Sequence, residues 1–203
     1  MGFEVSKDGI RPGTRKIEAV SKFPKPTTPH NVRQFIGLAS FFRRFVKNFS
    51  LVVKLLTKLL KKDTEWRWTK DEHDAFEKLK RMLVNRPILA LYNPNAETEF
   101  HTDASKIGIG GILLQRIGGE SFKAVAYFSR QTALEEQHWS SYELETLAVV
   151  ASLNRFRVYL VGIDFKIVTD CNLLRATFNK KVMIPRIARW WSVMQEFNYQ
   201  IEK

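Results

Sequence analysis

Cysteine is nearly absent from this sequence: one residue, Cys171, in a chain of 203 that also holds only 4 histidines. That scarcity excludes a disulfide scaffold and a cysteine-based zinc module, and a lone thiol suits a reducing compartment. Long apolar runs are missing too. The stretch Leu147-Ala148-Val149-Val150-Ala151 falls far short of the roughly 20 residues a membrane-spanning helix needs. No apolar segment opens the chain, so no secretory signal is visible. Asn48-Phe49-Ser50 is therefore a glycosylation sequon without secretory context, and Met1-Gly2 with Ser6 fits only the loose myristoylation pattern. There is no internal repeat and no low-complexity segment. What the chain does have is an ordinary globular balance, 44% apolar and 27% charged, which argues against wholesale disorder. Its length suits one large domain or two small ones.

The charge is lopsided. Lysine and arginine number 33 against 21 acids, a formal net charge of +12. Residues 1–92 carry 20 of those bases and only 9 of the acids, whereas residues 93–203 are almost neutral. A field of that size over one half attracts polyanions, and nucleic acid is the usual one.

The two halves also differ in pattern. Residues 1–28 are short, punctuated by Pro and Gly and partly extended. Thr28 and Pro29 then open a helix expected over 30–47, on the helical spacing of Val32, Phe35, Ile36, Ala39, Phe42, Phe45 and Val46. A second helix is expected from Leu51 to Leu60. A third is capped by Thr69, with Glu72 at the capping-box position, and runs to about Val84. From residue 93 the pattern changes to strands at 98–102, 108–115 and 123–129, the first two pairs of ends joined by short turns. A long helix capped by Ser140 or Ser141 follows to about Tyr159. A strand at 165–169, short helices ending through Ile187, Trp190, Trp191 and Met194, and a strand at 198–202 complete the order βββ-α-β-α-β. Such a chain predicts a mixed α+β or α/β sheet with helices packed on it, preceded by a small basic helical unit. The boundaries expected are 1–28, 29–92 and 93–203.

Three acids stand in unusual settings. Asp103 ends the strand Phe100-His101-Thr102-Asp103, Asp170 ends Ile167-Val168-Thr169-Asp170, and Glu145 lies in the long helix between Leu144 and Leu147. If the first and fourth strands are neighbours, Asp103 and Asp170 lie side by side, and a helix crossing the sheet brings Glu145 over both. Three such carboxylates raise one another's pKa unless a cation neutralises them. Oxygen-only ligands select hard cations such as Mg²⁺ or Mn²⁺, and two ions about 4 Å apart can drive phosphodiester hydrolysis. Spacing alone leaves alternatives open. Asp103 and Asp170 also fit turn-forming and capping roles. Glu143 competes with Glu145, since the two lie about 200° apart round a helix and cannot both face the sheet.

Ordered motifs narrow this. Val32-Arg33-Gln34-Phe35-Ile36-Gly37-Leu38, Phe41-Phe42-Arg43-Arg44-Phe45, Trp66 and Trp68 with Ala75-Phe76, Leu79-Lys80, and Pro87-Ile88-Leu89 run through the first half. His101-Thr102-Asp103-Ala104-Ser105, Gly108-Ile109-Gly110-Gly111, Ala126-Tyr127-Phe128-Ser129-Arg130, Tyr142-Glu143-Leu144-Glu145, Phe156-Arg157-Val158-Tyr159-Leu160 and Val168-Thr169-Asp170 run through the second. Together they resemble the C-terminal part of a gypsy-class LTR retrotransposon reverse transcriptase, its thumb region followed by its ribonuclease H domain. The likeness covers nearly the whole chain.

That resemblance implies the catalytic and metal-holding set Asp103, Glu145 and Asp170, because the family's glutamate is the second acid of its helix motif; Glu143 then becomes a surface residue. It implies Mg²⁺ or Mn²⁺ in a two-metal arrangement, endonucleolytic cutting of the RNA strand of RNA–DNA hybrids, and the rest of the reverse transcriptase, its palm and fingers, as a partner. Backbone contacts are expected from Arg43, Arg44, Lys47, Lys61, Lys62, Lys80, Arg81 and Arg130. Of Trp190 and Trp191, one is expected in the core and one half-exposed. The expected location is intracellular, in a cytoplasmic virus-like particle or the nucleus.

Departures from the family keep other readings in play. The palm's paired aspartates are missing, so no polymerase activity is expected. The family's fourth acid sits in a C-terminal helix beyond the fifth strand, and the sequence reaches Lys203 without it; Glu196 and Glu202 fall elsewhere in the pattern. Leu55 stands where the family usually has proline, and Leu173-Leu174 where a proline-containing run is common. A weak or inactive nucleic-acid-binding connection module, or a domesticated retroelement-derived interaction protein, is the alternative reading.

Overall fold

The computed structural model describes residues 2–85, 87–170 and 185–202. Cys171 and Leu173-Leu174 lie outside the described residues. Contacts divide the chain into two compact units, Met1–Leu91 and Tyr92–Lys203.

The first unit opens with a hairpin of β1 (Phe3–Ser6) and β2 (Gly9–Pro12), then helix α1 (Thr14–Ser21). Ile10 and Leu89 exchange backbone hydrogen bonds of 2.8 and 3.0 Å, which ties residues 1–28 into this unit. Helix α2 spans Pro29–Ser40, capped by the Thr28 hydroxyl, which accepts from the Asn31 N–H. It stops well before the expected residue 47. The chain turns at Phe41 and Phe42, and Arg43–Phe45 form a 3-10 turn. The reason is tertiary: Phe41, Phe42 and Phe45 gather round Phe3 with ring centroids 5.0, 6.0 and 5.7 Å away.

The expected second helix is likewise broken into α3 (Phe49–Val52) and α4 (Lys54–Lys58), the buried Val53 sitting at the junction. Adjacent β-branched Val52 and Val53 hold a continuous helix weakly. Leu55 lies on α4, exposed. Helix α5 spans Lys70–Val84 with the Thr69–Glu72 capping box formed, as the sequence predicts. Its face Ala75, Phe76, Leu79 and Leu83 is buried against the other helices.

The second unit is a five-stranded mixed sheet. Strands β3 (Glu97–Ser105), β4 (Gly108–Arg116) and β5 (Lys123–Gln131) form an antiparallel meander, and β6 (Asp164–Val168) and β7 (Asn198–Glu202) add to it in parallel. The order across the sheet is β5-β4-β3-β6-β7. Helix α6 (Ser141–Leu160) crosses the sheet and is buried on most of its circumference, because α7 (Pro185–Met194) packs on it as well. Phe100 on β3 meets Phe156 on α6 and Phe165 on β6, at 6.3 and 5.9 Å between centroids.

Close approach of α6 to the sheet depends on one glycine. A Cβ at Gly111 would sit 2.3 Å from the Ser152 hydroxyl oxygen and 3.0 Å from its Cβ, both on a fully buried part of α6. Gly111→Ala is therefore expected to destabilise the chain by about 1–3 kcal/mol through overpacking. Urea denaturation checks this, and the double variant Gly111→Ala/Ser152→Gly should regain most of the loss.

Candidate active site

Strand pairing settles where the two aspartates sit. In the parallel β3–β6 ladder Glu99 pairs with Lys166, Phe100 with Ile167 and His101 with Val168. Continuing that register by two residues sets Asp103 opposite Asp170, just past the end of β6. Both side chains are exposed. Asp103 also faces Gly110 of β4, which has no side chain to crowd it.

Helix α6 supplies the third carboxylate. Its first turn is fixed by a capping box: the Ser140 hydroxyl accepts from the Glu143 N–H, and Glu143 Oε2 accepts from the Ser140 N–H at 3.1 Å and from its hydroxyl at 2.9 Å. Glu145 follows on that turn, between the buried Leu144 and Thr146. Partial burial first, and the charges of Asp103 and Asp170 second, push its carboxyl up to about 7. The three acids are thus close enough to feel one another. Among the described residues, no group of three or more His, Cys, Asp and Glu side chains stands close enough together to hold a metal ion as placed. Unneutralised like charges give no reason to close up, and a hard divalent cation supplies one. The donor set, oxygens only with a half-buried glutamate disfavoured as an anion, fits such an ion.

Glu145 opens onto a cleft of about 310 Å³ whose other walls come from Ala104–Lys106 and Trp139–Ser141. A larger depression, about 520 Å³, is lined by Glu97, Asp164, Asn198 and Tyr199. It lies six residues back along β3, about 20 Å at the rise of an extended strand, and has no bearing on the acid cluster.

Glu143 is not the free surface charge expected. Its side chain is 14% exposed, and its second oxygen pairs with Arg186 Nη1 at 2.7 Å. The Ser140 N–H, then the Ser140 hydroxyl and the Arg186 charge, hold its carboxyl below the usual range. The tryptophan pair also departs from expectation: Trp190 and Trp191 are both intermediate in exposure, and Trp190 packs against Ile109, Leu147 and Ala148.

The basic residues divide by use. Arg43, Lys47, Lys61, Lys62 and Arg81 are exposed, and Arg44 is half-buried with its guanidinium 5.8 Å from the Phe45 ring. Lys80 turns inward, donating to the Phe23 carbonyl at 3.1 Å. Arg130 is held by Glu136 through two bonds of 2.6 and 2.8 Å, and keeps that carboxyl low. Lys80 and Arg130, expected on a nucleic-acid backbone, thus carry internal contacts. Sequence reasoning passed over Lys106, Trp139 and Arg186. Only position could have flagged them: Lys106 follows the Asp103 strand, and Trp139 precedes the cap of α6.

The second unit therefore has the ribonuclease H-like fold, with acids at the ends of two adjacent strands and on the helix that covers them. A family model described as the RNase H-like domain found in reverse transcriptase matches residues 68–167. Residues 68–167 thus resemble that domain, and the chain as a whole is similar to retrotransposon polyproteins. The Tf2-3 and Tf2-4 transposon polyproteins of Schizosaccharomyces pombe are each 32% identical to it over 205 aligned residues, 99% of this chain. The chain spans about 15% of the length of these curated relatives. In fold it is similar to the foamy viral protease-reverse transcriptase solved in complex with double-stranded DNA, with a TM-score of 0.80 and 18% identity over 100% of this chain and 44% of that one. The same foamy viral protein solved with an RNA/DNA hybrid gives 0.79 and 19%, over 100% of this chain and 28% of that one.

Glu145 has a consequence for stability. Its folded pKa, about 7, lies above its ordinary value of 4.5, so the folded state holds the proton more tightly. The contribution is most favourable below pH 4.5 and is lost as pH rises through 7. Solvent screening at this half-buried site reduces the loss to about 1–2 kcal/mol. Without divalent cations, Glu145→Gln should be more stable than the parent chain by that amount at pH 8 and indistinguishable at pH 4.5, measured by chemical denaturation.

Proposed function

We propose that this chain hydrolyses the RNA strand of RNA–DNA hybrids, cutting internally, with a divalent cation held by Asp103, Glu145 and Asp170. The observation that carries the reading is the β3–β6 register that sets Asp103 opposite Asp170, with Glu145 near enough for both charges to act on it. Mg²⁺ or Mn²⁺, bound as a pair, would supply an activated water and neutralise the scissile phosphate. The carboxylates hold that charge in place and stay ionised once it is there. The cleft beside Glu145, walled by Lys106 and Ser140, leaves room next to the acids for a phosphodiester strand.

Substrate choice follows from shape. A hybrid duplex is read by groove geometry, phosphates and 2′-hydroxyls, and the 2′-hydroxyl marks the strand to be cut. The foamy viral relative in fold was solved with both double-stranded DNA and an RNA/DNA hybrid, which supports a duplex as ligand. The basic first unit, led by Arg43, Arg44 and Lys47 with Lys61, Lys62 and Arg81, grips the backbone through charge. Lys80 and Arg130 contribute by holding their surroundings. The palm and fingers of the parent reverse transcriptase complete the assembly, inside a virus-like particle or the nucleus.

Cleavage of a labelled hybrid with Mg²⁺ or Mn²⁺ tests this. The parent chain should cut only the RNA strand, and Asp103→Asn should lose at least 100-fold in rate while binding the hybrid equally well. Binding should weaken steeply with salt, and replacing Arg43 and Lys47 by Gln should flatten that slope by about two. Equal cutting by Asp103→Asn would overturn the assignment. Salt-sensitive binding with no cutting by either protein would make the chain a connection-type binding module.

A further inference from the structure

Beyond the three acids, the structure assigns Arg186 a positioning role: it sets the place of Glu145 from across the α6–α7 interface, and so sets how tightly the acid cluster takes up a divalent cation. This rests on the reading of Asp103, Glu145 and Asp170 as the cation site.

Four contacts carry it. Arg186, the second residue of α7, pairs with Glu143 Oε1 at 2.7 Å. Its guanidinium carbon lies 3.8 Å from the centroid of the Trp139 ring. The other oxygen of Glu143 is already committed to the N–H and hydroxyl of Ser140, the cap of α6. Trp139 in turn packs on Trp190 of α7, with 5.6 Å between ring centroids. One guanidinium thus grips the residue before the cap and the acid that closes the capping box. Glu145 is two residues beyond Glu143 on the same turn. Trp139, Ser140 and Glu145 also line one cleft, so a shift in this turn moves the cleft wall together with the acid.

Such geometry is costly to assemble by chance. A planar guanidinium satisfies a carboxylate and stacks on an aromatic face at once, which an ammonium does not. The other end of the same helix pair offers a natural control. Arg157 near the end of α6 pairs with Glu196 beyond α7 and lies over the Phe197 ring at 5.8 Å. That tie joins α6 to the turn that follows α7 and lies three to four turns from Glu145.

The test is direct Mn²⁺ binding by the full 203-residue chain, followed by the loss of the free-ion electron paramagnetic resonance signal, with thermal melting in parallel. Parent and Asp103→Asn establish the site: Asp103→Asn should lose binding at least 10-fold. Arg186→Met should weaken Mn²⁺ binding about 5- to 10-fold, and Arg186→Lys should recover only part of it. Arg157→Met should lower the melting temperature to a similar extent and leave Mn²⁺ affinity unchanged. Arg186→Met combined with Glu143→Gln should bind no more weakly than the worse single variant. Equal affinity in the parent and Arg186→Met, with Asp103→Asn defective, would overturn the positioning role alone. Equal affinity in the parent and Asp103→Asn would overturn the cation site on which it rests. A loss in Arg157→Met matching that in Arg186→Met would reduce the effect to general stability and overturn the proposal as well.

Discussion

Everything at the candidate site depends on the parallel pairing of β3 with β6 beneath α6. Two strands whose first residues, Glu97 and Asp164, are 67 residues apart lie side by side because Phe100, Ile167 and Phe165 are buried together with Phe156 of the covering helix. Apolar burial is non-directional, but a register is not. Sliding β6 by one residue would turn Ile167 out of the core, so the register that satisfies the core is also the one that sets Asp103 against Asp170. The acid cluster is a by-product that the core enforces against electrostatic preference. Burial of Glu145 first, and the charges of Asp103 and Asp170 second, raise its carboxyl pKa, so the folded chain disfavours its anion.

A cluster held against repulsion needs a rigid frame. The frame has two parts. On the sheet side, Gly111 lets Ser152 and Phe156 approach β4, which fixes the height of α6 above the strands. On the loop side, the segment leading into α6 is pinned in several places. Glu136 accepts from Arg130 and from the Ala133 N–H, and the Thr132 hydroxyl donates to the Lys106 carbonyl at 2.6 Å. The same residues that could have met a ligand, Arg130 above all, are used to hold the chain that presents the acids. Charge near a site is not the same as charge available to a ligand, and side-chain partners decide which it is.

That distinction marks how far the sequence could be read. Alternation, capping residues and turn glycines disclosed the βββ-α-β-α-β order, the Thr69 and Ser140 caps and the last helix, because those signals are local. The placement of Asp103 beside Asp170 follows once strand neighbours are assumed, since each interrupts an apolar pattern, whereas the choice of Glu145 over Glu143 rests on the family resemblance. What failed was set by distant contacts. Helix α2 ends at Ser40 because Phe3, 38 residues before Phe41, collects the three following phenylalanines. The short α1 has only Ile17 and Val20 as a buried stripe, too little periodicity to notice. Lys80 reads as a surface charge on α5 until the Phe23 carbonyl appears beside it. Arg186 carried no signal, since its partners lie 43 and 47 residues upstream.

On the proposed reading, the division of charge between the units bears on why a cation would be required at all. Three carboxylates on the almost neutral second unit repel a phosphate backbone, and at 0.15 M salt that repulsion persists within about 8 Å, the distance at which chemistry must occur. Attraction from the 20 bases of the first 92 residues can raise the local concentration of a polyanion, but it does not cancel repulsion at the scissile group itself. Only a charge placed between the carboxylates and the phosphate does both jobs, relieving Glu145 and admitting the strand. On the proposed reading, the divalent cation is thus an electrostatic condition for productive binding before it is a source of activated water. On the same reading, basic residues would confer affinity for the duplex, and the acids with their ion would decide where along it the bond is exposed to attack.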